Sequence, residues 1–304
     1  MIDEASVGRL LEQGLRFLES EGPESAARAW GKIFDLEPSP ARFRQFVDVA
    51  RRAMRARRQE PSPAWAADLD ALHRRVEEGD AIDCDAAIDR WLPEYGGDAR
   101  FLVACGTVAA RLGEVDRARR LFARACECDP KSTEALARLA GLETREGRHD
   151  RAVELARRAL ALDPFDAEAH RALLISAALS GDATLVTQFA SRARLVLGDA
   201  HYVTSLCDEA AKRRAAASVR FEGGDGRDLW HPIRVEGAHS TEVGHCAERL
   251  YVERLLGRGW EVEGQEMVEE SGRLVDCLVL QRNSETRRLY FDVTESVEQA
   301  EPQL

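Results

Sequence analysis

Glu248, Asp276 and Asp292 are three carboxylates whose neighbours place the first on a helix and the other two on successive strands. Packing of that helix on those strands would gather them. Gathered carboxylates hold a divalent cation such as Mg²⁺, which activates water and offsets charge building on a phosphate. A second group competes for the role: His231, His239, His245 and Cys246 offer nitrogen and sulfur ligands within 16 residues. Their spacings of eight, six and one match no compact metal motif. His245 and Cys246, adjacent on a helix, point to different sides, so these side chains read as packing or surface groups. The glycines at 223, 224 and 226 lack the lysine and the strand-to-helix context of a phosphate loop, and no Ser-His-Asp arrangement is identifiable.

The elements that must position the acids are legible from the pattern. Ser240 is suited to cap a helix running to about Leu256. Beyond Gly257 and Gly259 the period becomes that of strands: Trp260 to Glu263, Arg273 to Leu280 and Arg288 to Thr294, with hairpin material at Arg282-Asn283-Ser284-Glu285. A helical run over 207–217 and the glycine-rich break precede them. The last hundred residues, 205–304, therefore read as a small α/β unit with its helix ahead of the sheet.

Upstream the chain repeats itself. Gly106, Gly113, Ala118, Phe122, Ala125 and Pro130 are echoed 34 residues later by Ala140, Gly147, Ala152, Ala156, Ala159 and Pro164. A third unit keeps Leu173, Gly181, Ala190, Ala193 and Gly198, and places Leu174 and Val186 where residues were small before. Near the N-terminus Leu10, Gly14, Phe17, Ala26, Trp30, Ile33 and Pro38 reproduce the spacing, with Gly22 one residue late. Small residues at such positions let two antiparallel helices approach closely, and stacked helix pairs bury one continuous core while displaying a binding face.

Pro38 and Pro130 are 92 residues apart, which is not a multiple of 34, so residues 41–96 are irregular. Helices are expected over 41–58, 63–78 and 83–92, broken at Pro61-Ser62-Pro63, Gly79-Asp80 and Pro93. Trp65, Leu69, Leu72 and Val76, and then Ile82, Ile88 and Trp91, form apolar faces that read as core. Arg51, Arg52, Arg55, Arg57 and Arg58 make a basic run; Arg51, Arg55 and Arg58 lie along one helical side and could bind phosphate or an acidic helix, while a solvated face is the commoner form.

The chain has 304 residues and a net charge of -11, which disfavours a general nucleic-acid coat. It begins with acids where a secretion signal would be basic, and no run of 18 apolar residues occurs. Its seven cysteines, odd in number and scattered, read as buried small hydrophobes in a reducing compartment. A cytoplasmic location is the expectation.

The repeat residues quoted above resemble the tetratricopeptide repeat family over 97–198 and, less closely, over 5–40. The resemblance implies a right-handed superhelix of helix pairs whose inner groove takes a protein or peptide partner. Groove candidates on the first helices are Arg100, Val103, Thr107, Glu134, Arg138, Leu142, His170 and Arg171. Several arginines there favour an acidic or carboxylate-bearing segment.

The stretch from Gly244 to Thr294 resembles the restriction-endonuclease-like superfamily, including its turn at Gly259-Trp260. That resemblance implies Glu248, Asp276 and Asp292 as metal-binding acids and puts Thr294 at the position of the family's lysine. Thr294 has no positive charge and a hydroxyl too weakly acidic to replace an ammonium. Glu266, Glu269 and Glu270 make the surroundings acidic, contrary to what a DNA-cleaving surface needs.

The expected fold is an α-solenoid of tetratricopeptide-like helix pairs over 1–204 followed by a small α/β domain, resembling a restriction-endonuclease-like core, over 205–304. The expected function is a cytoplasmic adaptor or scaffold that binds a protein partner through the repeats, with a non-catalytic nuclease-like tail. No cofactor is expected. The alternative is a Mg²⁺-dependent nuclease using Glu248, Asp276 and Asp292. Nucleic acid is the less favoured partner, and a membrane is not expected.

Overall fold

A computed structural model describes residues 4–36, 38–57, 64–67, 69, 71, 74, 84–257, 259–295 and 297. Among these are twelve α-helices and five strands. By compactness the chain divides into one unit of residues 1–177 and 187–204 and a second of 178–186 and 205–304.

Over residues 99–197 the sequence period becomes a helix period. The pairs α5 (Ala99–Arg111) with α6 (Val115–Cys128), α7 (Thr133–Arg145) with α8 (His149–Leu162), and α9 (Ala167–Leu179) with α10 (Ala183–Leu197) start at 34-residue intervals. Each first helix is closed by a glycine in the left-handed region: Gly113, Gly147 and Gly181 have φ of 81°, 71° and 75°. Only glycine reaches that conformation without strain, which is why it recurs at the turn. Each first helix opens on a capping side chain. Asp98 accepts from Arg100 N, Ser132 from Ala135 N and Asp166 from Ala169 N.

The small residues serve close approach. A Cβ at Gly106 would lie 2.6 Å from the ring of Phe122, which is buried. Ala118, Ala140 and Ala152 are fully buried at equivalent crossings. The N-terminal pair, α1 (Glu4–Ser20) and α2 (Pro23–Gly31), uses the same device. A Cβ at Gly14 would lie 1.9 Å from Trp30 Nε1, whose N–H donates to Leu11 O at 3.3 Å. Alanine gains about 1 kcal/mol over glycine in a helix interior, whereas forcing bulk into a filled core costs about 1–3 kcal/mol and more when the ring cannot move. Gly14→Ala is therefore expected to lower the urea midpoint of the full chain. A midpoint equal to or above the wild type's would refute this packing account.

After α2 the chain makes a 3₁₀ turn over Lys32–Leu36 and continues as α3 (Pro40–Arg57). Phe34, Phe43 and Phe46 gather around Phe165, with ring centroids 5.5 to 6.0 Å apart. Arg51 Nη2 donates to Phe165 O at 2.7 Å, so this member of the basic run is tied down rather than solvated. The side chains of Arg55 and Arg57, and Arg58 itself, lie outside the described residues.

So do most of the helix expected over 63–78, the breaks at 61–63 and 79–80, and Leu72, Val76 and Ile82. Trp65 packs its ring on Phe101 at 5.6 Å and donates to Asp98 Oδ2 at 3.3 Å, while Leu69 and Ile88 are buried. Pro93 does not end its helix. It sits inside α4 (Cys84–Tyr95), two residues from the end, where only the bond to Asp89 O is lost.

The second unit contains the later part of α11 (Ala200–Ala216), a mixed sheet and α12 (Thr241–Leu256). Strand order is β1-β2-β5-β4-β3, with β1 Arg220–Gly223, β2 Ile233–Glu236, β3 Glu261–Glu270, β4 Arg273–Arg282 and β5 Glu285–Asp292. The β2–β5 pairing is parallel and the others are antiparallel. Two strands precede α12, contrary to the expectation of a helix ahead of the whole sheet. Each has only four residues, too few for an alternation such as that of Ile233 and Val235 with Arg234 and Glu236 to stand out before pairing defines the strand. The expected first strand also extends to Glu270: its exposed glutamates suit the sheet edge, where charge discourages pairing with another chain.

Among the described residues no helix is long and apolar enough to cross a membrane. The six cysteines whose side chains are described are free, with Cys105 and Cys277 buried, and burial pushes the Cys105 thiol up to about 12.

Candidate functional site

In the first unit, the first helices of the pairs line two cavities. One, of about 340 Å³, is bounded by Thr107, Ala110 and Arg111 on α5, Phe122 on α6, Arg138 and Arg145 on α7, and Glu168 on α9. The other, of about 330 Å³, shares Arg138 and Glu168 and is closed by Arg51 and Met54 of α3 and by Asp163 and Asp166. Arg138 spans to Glu168 at 3.4 Å and to Glu134 at 4.0 Å.

Of the first-helix residues singled out from the sequence, Thr107, Glu134 and Arg138 line these cavities. Val103, Leu142 and His170 do not, since each is buried. The helical face that carries them is covered by packing within the stack. His170 Nε2 lies 3.0 Å from Pro164 O, and burial holds its pKa below the usual imidazole value, so it stands as a neutral core donor. Arg100 pairs with Asp98 at 3.3 Å, and Arg171 is exposed. Sequence reasoning passed over Arg111, Arg145 and Glu168. The signal available was their position toward the C-terminal or N-terminal end of successive first helices.

Residues 80–133, 103–167 and 138–185 match the tetratricopeptide repeat family. These segments are tetratricopeptide repeats. Similar solved structures include MamA, 12% identical over 72% of this chain and 98% of that one with a TM-score of 0.32. Another is YrrB, described as a TPR protein with an unusual peptide-binding site, 17% identical over 67% of this chain and 86% of that one with a TM-score of 0.33. No curated protein matches the chain.

The second unit, which lies mostly beyond the repeats, holds a cluster of another kind. Ser240 Oγ accepts from Val243 N at the head of α12, which orients the helix's first turns. His245 and Glu248, three residues apart, share a helical face. On β4, Asp276 is paired with Phe291 of β5 and Leu278 with Leu289. Residues directly opposite share a face of the sheet. Leu278, Leu289 and Phe291 share one core with Ala247 and Val252 of α12, so Asp276 belongs to the face that α12 covers.

Glu248 and Asp276 are both 0% exposed, and a ligand atom from each lies within 4.8 Å of one from His245. His245 Nε2 is 3.4 Å from Asp276 Oδ2, the oxygen to which Gln265 of β3 donates. As carboxylates, both oxygens of Glu248 and Oδ1 of Asp276 meet no protein donor, and the two groups are joined only when Glu248 carries a proton. Burial, and then the Asp276 carboxylate, push the Glu248 carboxyl up to about 9.

Asp292 is held elsewhere. It pairs with Val275, one register step from Asp276, and that step places it on the other face of the sheet. Thr294 donates its hydroxyl to Asp292 Oδ1 at 2.6 Å and its backbone N–H at 3.2 Å, and Thr294 Oγ1 accepts from Leu274 N at 2.9 Å. Both hydrogen-bonding directions of Thr294 are thereby used in closing the end of β5.

The structure brings together Glu248 and Asp276 and adds His245, which sequence reasoning had placed with the histidines. The i, i+3 relation of His245 and Glu248 was the missed signal. His231 instead pairs with exposed Asp228 at 3.0 Å, His239 is exposed, and Cys246 packs into the apolar core.

Proposed function

We propose that this protein is a cytoplasmic adaptor or scaffold that binds a protein partner through the groove of its tetratricopeptide repeats, with a non-catalytic nuclease-like tail as a second docking module. The observation that carries the reading is the pair of cavities joined at Arg138 and Glu168 along the first helices of successive repeats. Arg111, Arg138 and Arg145 surround the cavity lined by α5 to α7, with Glu168 as its acid. Forked guanidinium donors there suit an acidic or carboxylate-bearing segment. The free cysteines of the described residues accord with a reducing compartment.

Selection of displayed peptides on the full chain tests this. Selected peptides are expected to be enriched in acidic residues. The charge reversals Arg138→Glu and Arg145→Glu together are expected to weaken them by about 10- to 100-fold, the range of one or two desolvated ion pairs. Unchanged affinity would remove the groove from the account.

One observation favours the second reading, a Mg²⁺-dependent nuclease using Glu248, Asp276 and Asp292: two buried carboxylates face each other with uncompensated oxygens. Against it stand the engagement of Thr294, the register of Asp292, and the exposed Glu261, Glu263, Glu266 and Glu269 on edge strand β3. Metal-dependent cleavage by the native chain, abolished in Asp276→Ala/Asp292→Ala, would replace the adaptor-only account with the nuclease.

A further inference from the structure

We propose that His245, Glu248 and Asp276 form a binding site for one divalent transition-metal ion, of the class of Zn²⁺ or Mn²⁺, with Gln265 positioning Asp276. The site does not require Asp292.

The first reason is the state of the atoms. His245 Nε2, Glu248 Oε1, Glu248 Oε2 and Asp276 Oδ1 are buried and face one another rather than any outside partner: His245 Nε2 lies 3.4 Å from Asp276 Oδ2, and only a proton or a cation can join the Glu248 and Asp276 carboxylates. An unpaired buried carboxylate costs several kcal/mol, and two facing each other cost more unless a proton or a cation lies between them. A divalent ion would neutralise both carboxylates and use all three side chains as ligands.

The second reason is convergence from separate elements. α12 supplies His245 and Glu248 from one face, β4 supplies Asp276, and their ligand atoms lie within 4.8 Å of one another. Bonds of about 2.0–2.2 Å to a shared ion require these atoms to draw together to roughly 3–3.5 Å of one another by side-chain rotation. Gln265, from β3, donates to the Asp276 oxygen that lies nearest His245. Hydrogen-bonded support of a carboxylate ligand is what holds a metal site in one geometry.

The third reason concerns which ion. Mg²⁺ prefers oxygen ligands and retained water in a near-octahedral shell. An imidazole nitrogen with two carboxylates suits first-row transition-metal ions instead, which take nitrogen beside oxygen more readily than Mg²⁺ does. The His245 side chain is 34% exposed, but its Nε2 is buried, so the ring's outer edge meets solvent while the ligand atoms face inward. Asp292, one register step away and bonded to Thr294, has no part in this set.

The experiment uses the full chain, stripped with chelator and titrated with Zn²⁺, Mn²⁺ and Mg²⁺. One equivalent of Zn²⁺ or Mn²⁺ is expected to bind, with Mg²⁺ at least about 100-fold weaker. Pulsed electron paramagnetic resonance of the Mn²⁺ form should show coupling to one imidazole nitrogen. His245→Ala should remove that coupling and weaken binding by about 100-fold, as loss of one of three ligands requires. Glu248→Gln, which keeps shape and hydrogen-bonding capacity, should bind no stoichiometric metal while giving the wild-type circular dichroism spectrum. Asp292→Asn and His231→Ala should bind within about 3-fold of the native chain, being outside the ligand set. The proposal is overturned by the absence of stoichiometric binding, or by a nitrogen coupling that survives His245→Ala. It is equally overturned if Asp292→Asn or His231→Ala weakens binding as much as His245→Ala does.

Discussion

In chelator-treated protein, Glu248→Gln stabilises the second unit at pH 7.5 and flattens its pH dependence. The Glu248 carboxyl is pushed up from 4.5 to about 9, by burial first and then by the Asp276 carboxylate. The folded protein therefore holds a proton that the unfolded chain releases above pH 4.5. A raised pKa of this sign contributes stability that is complete below pH 4.5 and lost progressively as the pH rises through about 9. Within that window each pH unit removes about 1.4 kcal/mol, so the native chain should lose about 3 kcal/mol between pH 5.5 and 7.5 through this one group.

Glutamine keeps the side-chain volume and has no proton to lose. Hydrogen exchange of α12 and β4 amides across that pH range, compared between the two chains, measures the difference. His245, Asp276 and Arg249 are the other titratable groups around Glu248, and they are common to both chains. Parallel profiles would show that Glu248 is not carrying the penalty.

Phe122→Ala should destabilise the first unit by about 3–5 kcal/mol, the cost of emptying a fully buried aromatic position. Phe122 is 1% exposed and fills the space that Gly106 leaves open. The glycine cannot collapse into the void, because its helix is held by its own backbone bonds and by capping at Asp98. Repeat units are stabilised mainly by neighbours, so the loss should spread from α5 and α6 into α7. Thermal unfolding of the full chain should show the first unit melting well below its native midpoint. Because Phe122 also lines the cavity beside Arg138 and Arg145, the proposed peptide binding should weaken even at temperatures where the variant is folded. A change in stability under about 1 kcal/mol would mean that the crossing relaxes, contrary to the close packing described.

Much of the first unit was readable as spacing. Gly14 with Trp30 and Gly106 with Phe122 are the same contact 92 residues apart, and in both the glycine stands where a Cβ has no room. The turn glycines recur because the chain must enter the left-handed region at each helix end. Which first-helix residues line the cavities was less readable. Val103, Leu142 and His170 lie on the same helices as Thr107 and Arg138, and the packing of adjacent helices, which no local pattern records, decides which face is covered.

In the second unit α12 and its Ser240 cap were legible, as were β4 and β5. β1 and β2 were not, because four-residue strands have too few alternations to stand out from a polar loop and exist through their partners.

By itself the sequence determined the 34-residue period, the tetratricopeptide repeats and the candidacy of Glu248 and Asp276, since each rests on residue type at a fixed chain interval. Only the tertiary structure decided that His245 joins them, that Asp292 does not, and that Thr294 spends its hydroxyl on the end of β5. Strand register made those decisions: a shift of one residue moves a side chain to the opposite face of a sheet, and register is set by pairing between strands far apart in the chain.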